Sequence, residues 1–398
     1  MHWKVWKINM DLINSPNSLT MNDPSTPKIC LMGLGGAGCN TVNRLAAMKI
    51  PGVQLIAANT DFQTLNLAEA DHKLLLGPSL ASGKGAGGDA NIGKRAAEES
   101  FRELISLIQG TDLLFLTAGL GGGTGSGAIQ IAARIARSLE ILNISIVSLP
   151  FSFEASTRQQ NAREAAANLQ PFTDTMITIP NDQILKIAPS GTPMKNALGM
   201  ADEILIKSIL GISELVYRPG LMDVDISHLI RMMRMGGGCY ISTGSSQGQN
   251  AAVQALQEAM KNPLLENIPM QQASGVVFKL SGQPTIEDLN ASMAFLRDCT
   301  SDCTEIIPAI SDDNLANGAI HVTLLVTGIG ATSIEKSVGF NQPDKQESIK
   351  LQPDPQNIRD LNQSDYYHPD EEKAETLEMP AFLRKGYNLI EHTYPNYG

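Results

Sequence analysis

The 398-residue chain, with 42% hydrophobic and 18% charged residues, is globular in composition and longer than the ~250–300 residues at which single hydrophobic cores stop growing, so one small module is excluded. Its 30 basic and 41 acidic side chains give a net charge of −11, which repels polyanions and argues against nucleic acid or an anionic lipid surface as partner. Five cysteines (Cys30, Cys39, Cys239, Cys299, Cys303) with no CxxC or HxxxH pair read as reduced thiols of the cytoplasm and not as a disulfide framework or zinc site; no signal peptide or membrane span of ~18 apolar residues is evident, so direct membrane insertion is not expected.

Residues 1–27 are rich in Asn, Ser, Thr and Pro and read as a disordered tail. From Lys28 short apolar runs alternate with helical patterns. KICLMGLG, VQLIAANTD, DLLFLTAG and ISIVSLPF predict buried strands; TVNRLAAM, NIGKRAAEESFRELISLIQG and GAIQIAARIARSLEIL predict helices between them. This alternation predicts a doubly wound, mostly parallel α/β sheet. A long helix covers NALGMADEILIKSILGISELVY; beyond it, helices ISHLIRMMRM and NAAVQALQEAM and strands GVVFKLSG, TEIIPAISD and AIHVTLLVTGIG predict a smaller mixed α/β domain. The expected divisions are a first α/β domain over 28–192, a connecting helix over 193–217, a second domain over 218–330, a flexible acidic linker over 331–376, and a terminal peptide and tail over 377–398.

Three glycine clusters fall where strands hand over to helices: GLGGAGCN (33–40), GKGAGGDANIG (83–93) and GLGGGTGSG (119–127). Helix N-termini present partly positive N–H groups, and glycine lets backbone approach an anion closely, so three such turns at one sheet edge would hold a polyphosphate. The first cluster contains Gly33, Gly35 and Gly38 in a GxGxxG pattern, which also suits a dinucleotide oxidoreductase or tight structural turns. In the third, Thr124 is placed to cap a helix and touch a phosphate.

With these clusters, the motifs NTDFQTL, GAGG, PFSFE, ITIPND, RPGLMDVD and TGIG follow in order. Together they resemble the tubulin/FtsZ family of GTP-binding filament proteins, in particular its bacterial FtsZ branch, nearly continuously over 28–330. The resemblance implies a GTPase of cell division that binds GTP/GDP with Mg²⁺ and forms a head-to-tail homopolymer in the cytoplasm at the division site. It implies that Gly35, Gly36, Ala37, Gly38 and Asn40 line the nucleotide, with Gly87 in the GAGG motif. Gly121, Gly122, Gly123, Thr124 and Gly125 would cradle phosphates, Glu154 and Arg158 would meet ribose and phosphate, and Asn181 and Asp202 would read guanine. The residue-level alternative for Glu154 and Arg158 is an i,i+4 ion pair. Leu198 stands where the family usually has an aromatic ring stacked on the base, a loss of ~1 kcal/mol.

The resemblance further implies that the segment 220–228, GLMDVDISH, enters the next subunit's pocket. Asp225 matches one catalytic acid, Asp223 replaces a common asparagine, and His228 occupies the place of a second aspartate. Displacing a water-orienting group slows phosphoryl transfer more than it weakens binding. Slow hydrolysis is therefore expected, with a non-hydrolysing paralogue that modulates filaments as the alternative. The terminal MPAFLRK, with Met379, Pro380, Phe382, Leu383, Arg384 and Lys385, is similar to the family's short peptide for membrane-tethering partners and suits an apolar groove.

Overall fold

The computed structural model describes residues 27–329, apart from 51, 183, 185–187, 190, 218–220, 223–225, 235–237, 262–269, 314 and 316–317. Every described residue belongs to one compact unit. Residues 1–26 of the expected tail over 1–27, the linker and the MPAFLRK peptide lie outside the described residues.

The first half runs β1 (Ile29–Leu34), α1 (Gly35–Met48), β2 (Val53–Asn59), α2 (Phe62–Asn66), β3 (His72–Leu75), α3 (Ala90–Glu99) and α4 (Phe101–Ile108). It continues with β4 (Leu113–Gly119), α5 (Gly123–Ser138), β5 (Leu142–Leu149), α6 (Ser156–Leu169) and β6 (Thr175–Pro180). Helix α7 (Met194–Tyr217) leads to α8 (Ile226–Arg234), β7 (Gly238–Ser246), α9 (Ala251–Met260), β8 (Gly275–Gly282), α10 (Ile286–Cys299), β9 (Glu305–Asp312) and β10 (Ile320–Ile329).

The strands order as β3-β2-β1-β4-β5-β6-β7-β10-β8-β9. Strands β1 to β6 pair in parallel, whereas β10 lies antiparallel to both β7 and β8 and β9 runs parallel to β8. A doubly wound parallel sheet and a smaller mixed sheet are thus both present, and among the described residues they meet through one residue pair, Met176 with Gly238.

Residue alternation sorts the core. In β1, Ile29 and Leu31 face α1 and α7, packing with Val42, Leu45, Ile206, Ile209 and Ile212; Cys30, Met32 and Leu34 face the opposite helices, with Ala96, Leu104, Ile129 and Ala162. Both faces being covered explains why these strands read as unbroken apolar runs. A third core lies between β7, β8, β10 and helices α9 and α10, built on Tyr240, Leu256, Phe278, Leu296 and Leu324.

Three local expectations need correction. The helices begin inside the glycine clusters, at Gly35 and Gly123, because packing of the following turns overrides glycine's poor propensity. The helix expected over 91–110 breaks at Ser100 (φ −93°, ψ 27°), which is buried and accepts a hydrogen bond from the Gly77 amide at 3.0 Å. Thr124 does not cap: the N-cap of α5 is Gly122, and the Thr124 hydroxyl lies 2.6 Å from that of Thr60.

Candidate functional site

Within the parallel sheet the strand order reverses direction between β1 and β4, and the carboxyl ends at such a switch point form a crevice where ligands bind. The chain leaves β1 into Gly35, β4 into Gly121–Thr124, β5 into Glu154 and β6 into Asn181. Four successive strands therefore deliver sequence-predicted residues to one edge.

The first and third glycine clusters touch backbone to backbone. A Cβ at Gly35, which sits at φ +72°, would lie 2.8 Å from the Gly125 nitrogen, and one at Gly38 would lie 2.7 Å from the Thr117 carbonyl oxygen. The second cluster joins them: a Cβ at Gly123 would meet the Ala86 Cβ and the Asp89 oxygen, each at 2.8 Å. Gly121 (φ +97°) backs onto the Arg158 carbonyl at 2.8 Å, and its amide donates to the Ser126 hydroxyl at 2.8 Å. These glycines are explained by the protein's own packing.

Gly36 and Gly122 are different. Neither has a positive φ, and a Cβ on either meets nothing within 4 Å. Neither backbone conformation nor packing requires glycine there, so the open space above them fits a ligand pressed against backbone. Gly36 belongs to the first turn of α1 and Gly122 precedes that of α5; neither helix has a side-chain N-cap hydrogen bond, leaving N–H groups for an anion. The second cluster does not offer its helix end in this way, because the Asp89 carboxylate caps α3 by accepting from Asn91 N at 2.8 Å. Its contribution is confined to backbone around Gly87 (φ +58°) and Gly88 (φ +84°), both facing open space. Ala37 and Asn40 lie exposed on α1.

Beyond the glycines, Glu154 and Arg158 pair at 2.9 Å, and the second carboxylate oxygen of Glu154 accepts from Phe151 N at 2.8 Å. The i,i+4 ion pair thus exists, at the mouth of the crevice. Asn181 is 9% exposed, and its Oδ1 has no hydrogen-bond partner among the described residues. A buried acceptor left unpaired by the protein is costly, so it fits a ligand N–H. Asp202 and Leu198 lie on α7, whose amino-terminal part is tied to α1 by Arg44 donating to the Gly199 carbonyl at 3.2 Å; their side chains, like Asp223 and Asp225, lie outside the described residues. His228 is exposed on the first turn of α8.

Several residues at this edge were given no role in the sequence reading. Thr60, fully buried, joins the end of β2 to α5 through Thr124. Asn59 accepts from Asp61 N at 3.2 Å and donates to the Cys39 sulfur. Burial, with Asp61 nearby, pushes the Cys39 thiol up to about 11 against the lowering effect of the Asn59 bond, so it packs as a neutral thiol. The motif NTDFQTL contained Asn59, Thr60 and Asp61, but their partners lie on other elements. No group of three His, Cys, Asp or Glu side chains able to hold a metal occurs among the described residues, nor is any of their helices long and apolar enough to cross a membrane.

Comparisons with known proteins agree with this geometry. Residues 28–189 match the sequence model for the Tubulin/FtsZ family GTPase domain, and 237–330 the model for the FtsZ family C-terminal domain. Cell division protein FtsZ 1 of Pyrococcus furiosus is 37% identical over 327 residues, 81% of this chain and 87% of that protein. Cell division protein FtsZ of Magnetospirillum gryphiswaldense is 36% identical over 80% of this chain and 58% of its own. A structure of the empty FtsZ dimer of M. jannaschii superposes with a TM-score of 0.69 at 36% identity, covering 77% of this chain and 89% of that one. CetZ2 of Haloferax volcanii, solved as a GTPγS-bound protofilament, shares the fold with a TM-score of 0.66 at 21% identity, over 78% of this chain and 96% of its own. The chain therefore belongs to the Tubulin/FtsZ family and, carrying both the GTPase and the FtsZ C-terminal domain, to its FtsZ branch.

Proposed function

We propose that this chain is a GTP-binding cytoskeletal protein of cell division that assembles head to tail and hydrolyses GTP slowly where two subunits meet. The observation that carries the nucleotide reading is the combination of open space over Gly36 and Gly122 with the unpartnered buried Oδ1 of Asn181. Phosphates would rest on the N–H groups opening α1 and α5; Glu154 and Arg158 would exchange their mutual pairing for ribose and phosphate; and Asn181 with Asp202 would select guanine over adenine. Mg²⁺ would neutralise phosphate charge and be held mainly by the phosphates themselves, as suits a cation that keeps much of its water.

Hydrolysis would need the segment 220–228 of a neighbour, with Asp225 and Asp223 orienting water and His228 standing in for an acid. A surface that fits a different patch on an identical copy propagates as an open filament, and a relative 36% identical is described as a dimer. The family's C-terminal peptide motif supports docking of Met379, Pro380, Phe382, Leu383, Arg384 and Lys385 into a membrane tether. Phosphate release measured against protein concentration tests the core of the proposal: a site shared by two subunits gives a threshold, below which turnover vanishes. Release strictly proportional to concentration at all doses refutes it. The exposed His228 favours one rival, a paralogue that binds GTP and copolymerises without turnover, which the same titration would report as assembly with no phosphate released.

A further inference from the structure

Thr60 and Thr124 place two hydroxyls 2.6 Å apart where the chain leaving β2 meets the first turn of α5. Two hydroxyls carry two protons, and only one of them lies between the oxygens. The distance suits either direction, so the surroundings decide it. Thr60 is 0% exposed, and Thr124 is the one partner of its hydroxyl among the described residues. If Thr124 donated, the Thr60 proton would be buried without an acceptor, an expensive state. If Thr60 donates, that penalty disappears, and the proton left over belongs to Thr124, which is 9% exposed.

That spare proton sits where the glycine clusters meet. Thr124 lies two residues beyond Gly122, over which a Cβ would find open space, and its own Cβ is 3.4 Å from where one on Gly35 would stand. Thr60, for its part, is held on both sides. Its carbonyl accepts from Gly85 N at 3.1 Å, and the Phe62 amide donates to Gly83 O at 3.0 Å. Between these bonds Asp61 caps α2, accepting from Gln63 N at 2.8 Å and Thr64 N at 3.2 Å. A β-branched side chain on so fixed a backbone keeps few χ1 choices. The second glycine cluster, whose helix end Asp89 closes, thus reaches the crevice through Thr60.

We propose that Thr60 is a positioning residue for the nucleotide: by donating to Thr124 it leaves the Thr124 proton to the crevice and makes that hydroxyl a committed donor to a phosphate oxygen. A hydroxyl free to rotate presents lone pairs to the anion part of the time. One that already accepts a hydrogen bond is oriented, and polarised, as a donor. Thr60 touches no ligand in this account, which rests on the reading that phosphate lies over Gly36 and Gly122.

The test is equilibrium GTP binding by the full-length chain at concentrations too low for assembly, with thermal unfolding showing that each variant is folded. Thr124→Val should weaken binding about tenfold to a hundredfold, the loss of one hydrogen bond to a charged group. Thr60→Val is expected to weaken it about threefold to tenfold, whereas Thr60→Ser, which keeps the donor, should stay within about twofold of the unaltered chain. In the Thr124→Val background, Thr60→Val should cost nothing further, because its effect passes through a proton that is no longer there. A residue that merely supports the fold would weaken binding equally in both backgrounds. Should Thr60→Val not fold, Thr60→Ala set against Thr60→Ser carries the same expectation. Unchanged affinity in a folded Thr60→Val protein overturns the proposal, as does a loss that persists in full alongside Thr124→Val. GTP binding that Thr124→Val leaves intact sinks the phosphate reading and this proposal with it; sensitivity to Thr124→Val with indifference to Thr60→Val sinks this proposal alone.

Discussion

Replacing Gly36 by alanine separates a glycine kept for a ligand from one kept for packing. In the structure a Cβ at Gly36 enters empty space, on a helical residue without positive φ. With no ligand bound, Gly36→Ala should therefore stabilise the chain by ~0.4–1 kcal/mol, chiefly by narrowing the unfolded ensemble. The same methyl occupies the space assigned to phosphate. Losing one charge-assisted backbone contact removes ~1.5–3 kcal/mol, so GTP affinity should fall up to about a hundredfold. At free GTP of about one hundred times the original dissociation constant, the unaltered chain gains ~2.7 kcal/mol and the variant only ~0.4 kcal/mol. The order of thermal midpoints should consequently cross: variant higher without nucleotide, original higher with it. Gly38→Ala provides the contrast, since its Cβ would lie 2.7 Å from both Gly33 C and Thr117 O, a clash costing ~1–3 kcal/mol in either condition. Scanning calorimetry with and without GTP, paired with equilibrium nucleotide binding, reads all of this. A Gly36→Ala protein that binds GTP as tightly as the original would refute the placement of phosphate over α1.

Other outcomes follow from the same geometry. Asn181→Ala removes a buried acceptor that the protein itself leaves unpaired, so unfolding in denaturant should change by less than ~1 kcal/mol while GTP binding weakens about tenfold and preference over ATP narrows; loss of stability with intact selectivity would point to a packing role. His228→Asp should raise phosphate release per assembled subunit, and equal or lower release with normal assembly would count against His228 as the weak point of catalysis. Among the thiols, burial holds Cys30 and Cys239 at about 12 and Cys39 at about 11, raised above the ordinary value and so protonated at pH 8. A thiol reagent at that pH should modify exposed Cys303 first and half-buried Cys299 more slowly, and rapid labelling of Cys39 in native protein would contradict its packing.

What was legible in the sequence tracks how local the determining physics is. Strands β1, β2, β4 and β5 were readable because both faces are covered and the apolar runs are unbroken. Helix α6 was not singled out: its buried stripe is Ala162, Ala165, Ala166 and Leu169, too small a contrast to stand out against polar neighbours. Strand β7 was missed for a related reason. Its core face carries Tyr240 and Ser242, whose hydroxyls both donate to the Ala259 carbonyl at 2.6 Å, so polar residues are buried through partners seventeen or more positions away. At the site, glycine patterns marked the turns proposed to bind phosphate, whereas Thr60 was invisible because its partner Thr124 lies sixty-four residues further along. Asp89 shows the opposite failure: a helix start legible as an anion site was already occupied by its own neighbouring carboxylate.

Among the described residues a single rung, Met176 with Gly238, joins the two halves of the sheet, and this has a mechanical consequence. Elsewhere adjoining strands share ladders of several residues, so a load drawn across the sheet would concentrate at this seam, where separation breaks about 1 kcal/mol of net hydrogen bonding. Tension between the halves would then pass to α7, whose Ile206, Ile209, Ile212 and Leu215 are embedded in the core shared with Val277 and Leu325. That helix works as the spine of the molecule, and stretching the chain should shear its side chains through that core before either strand ladder unzips.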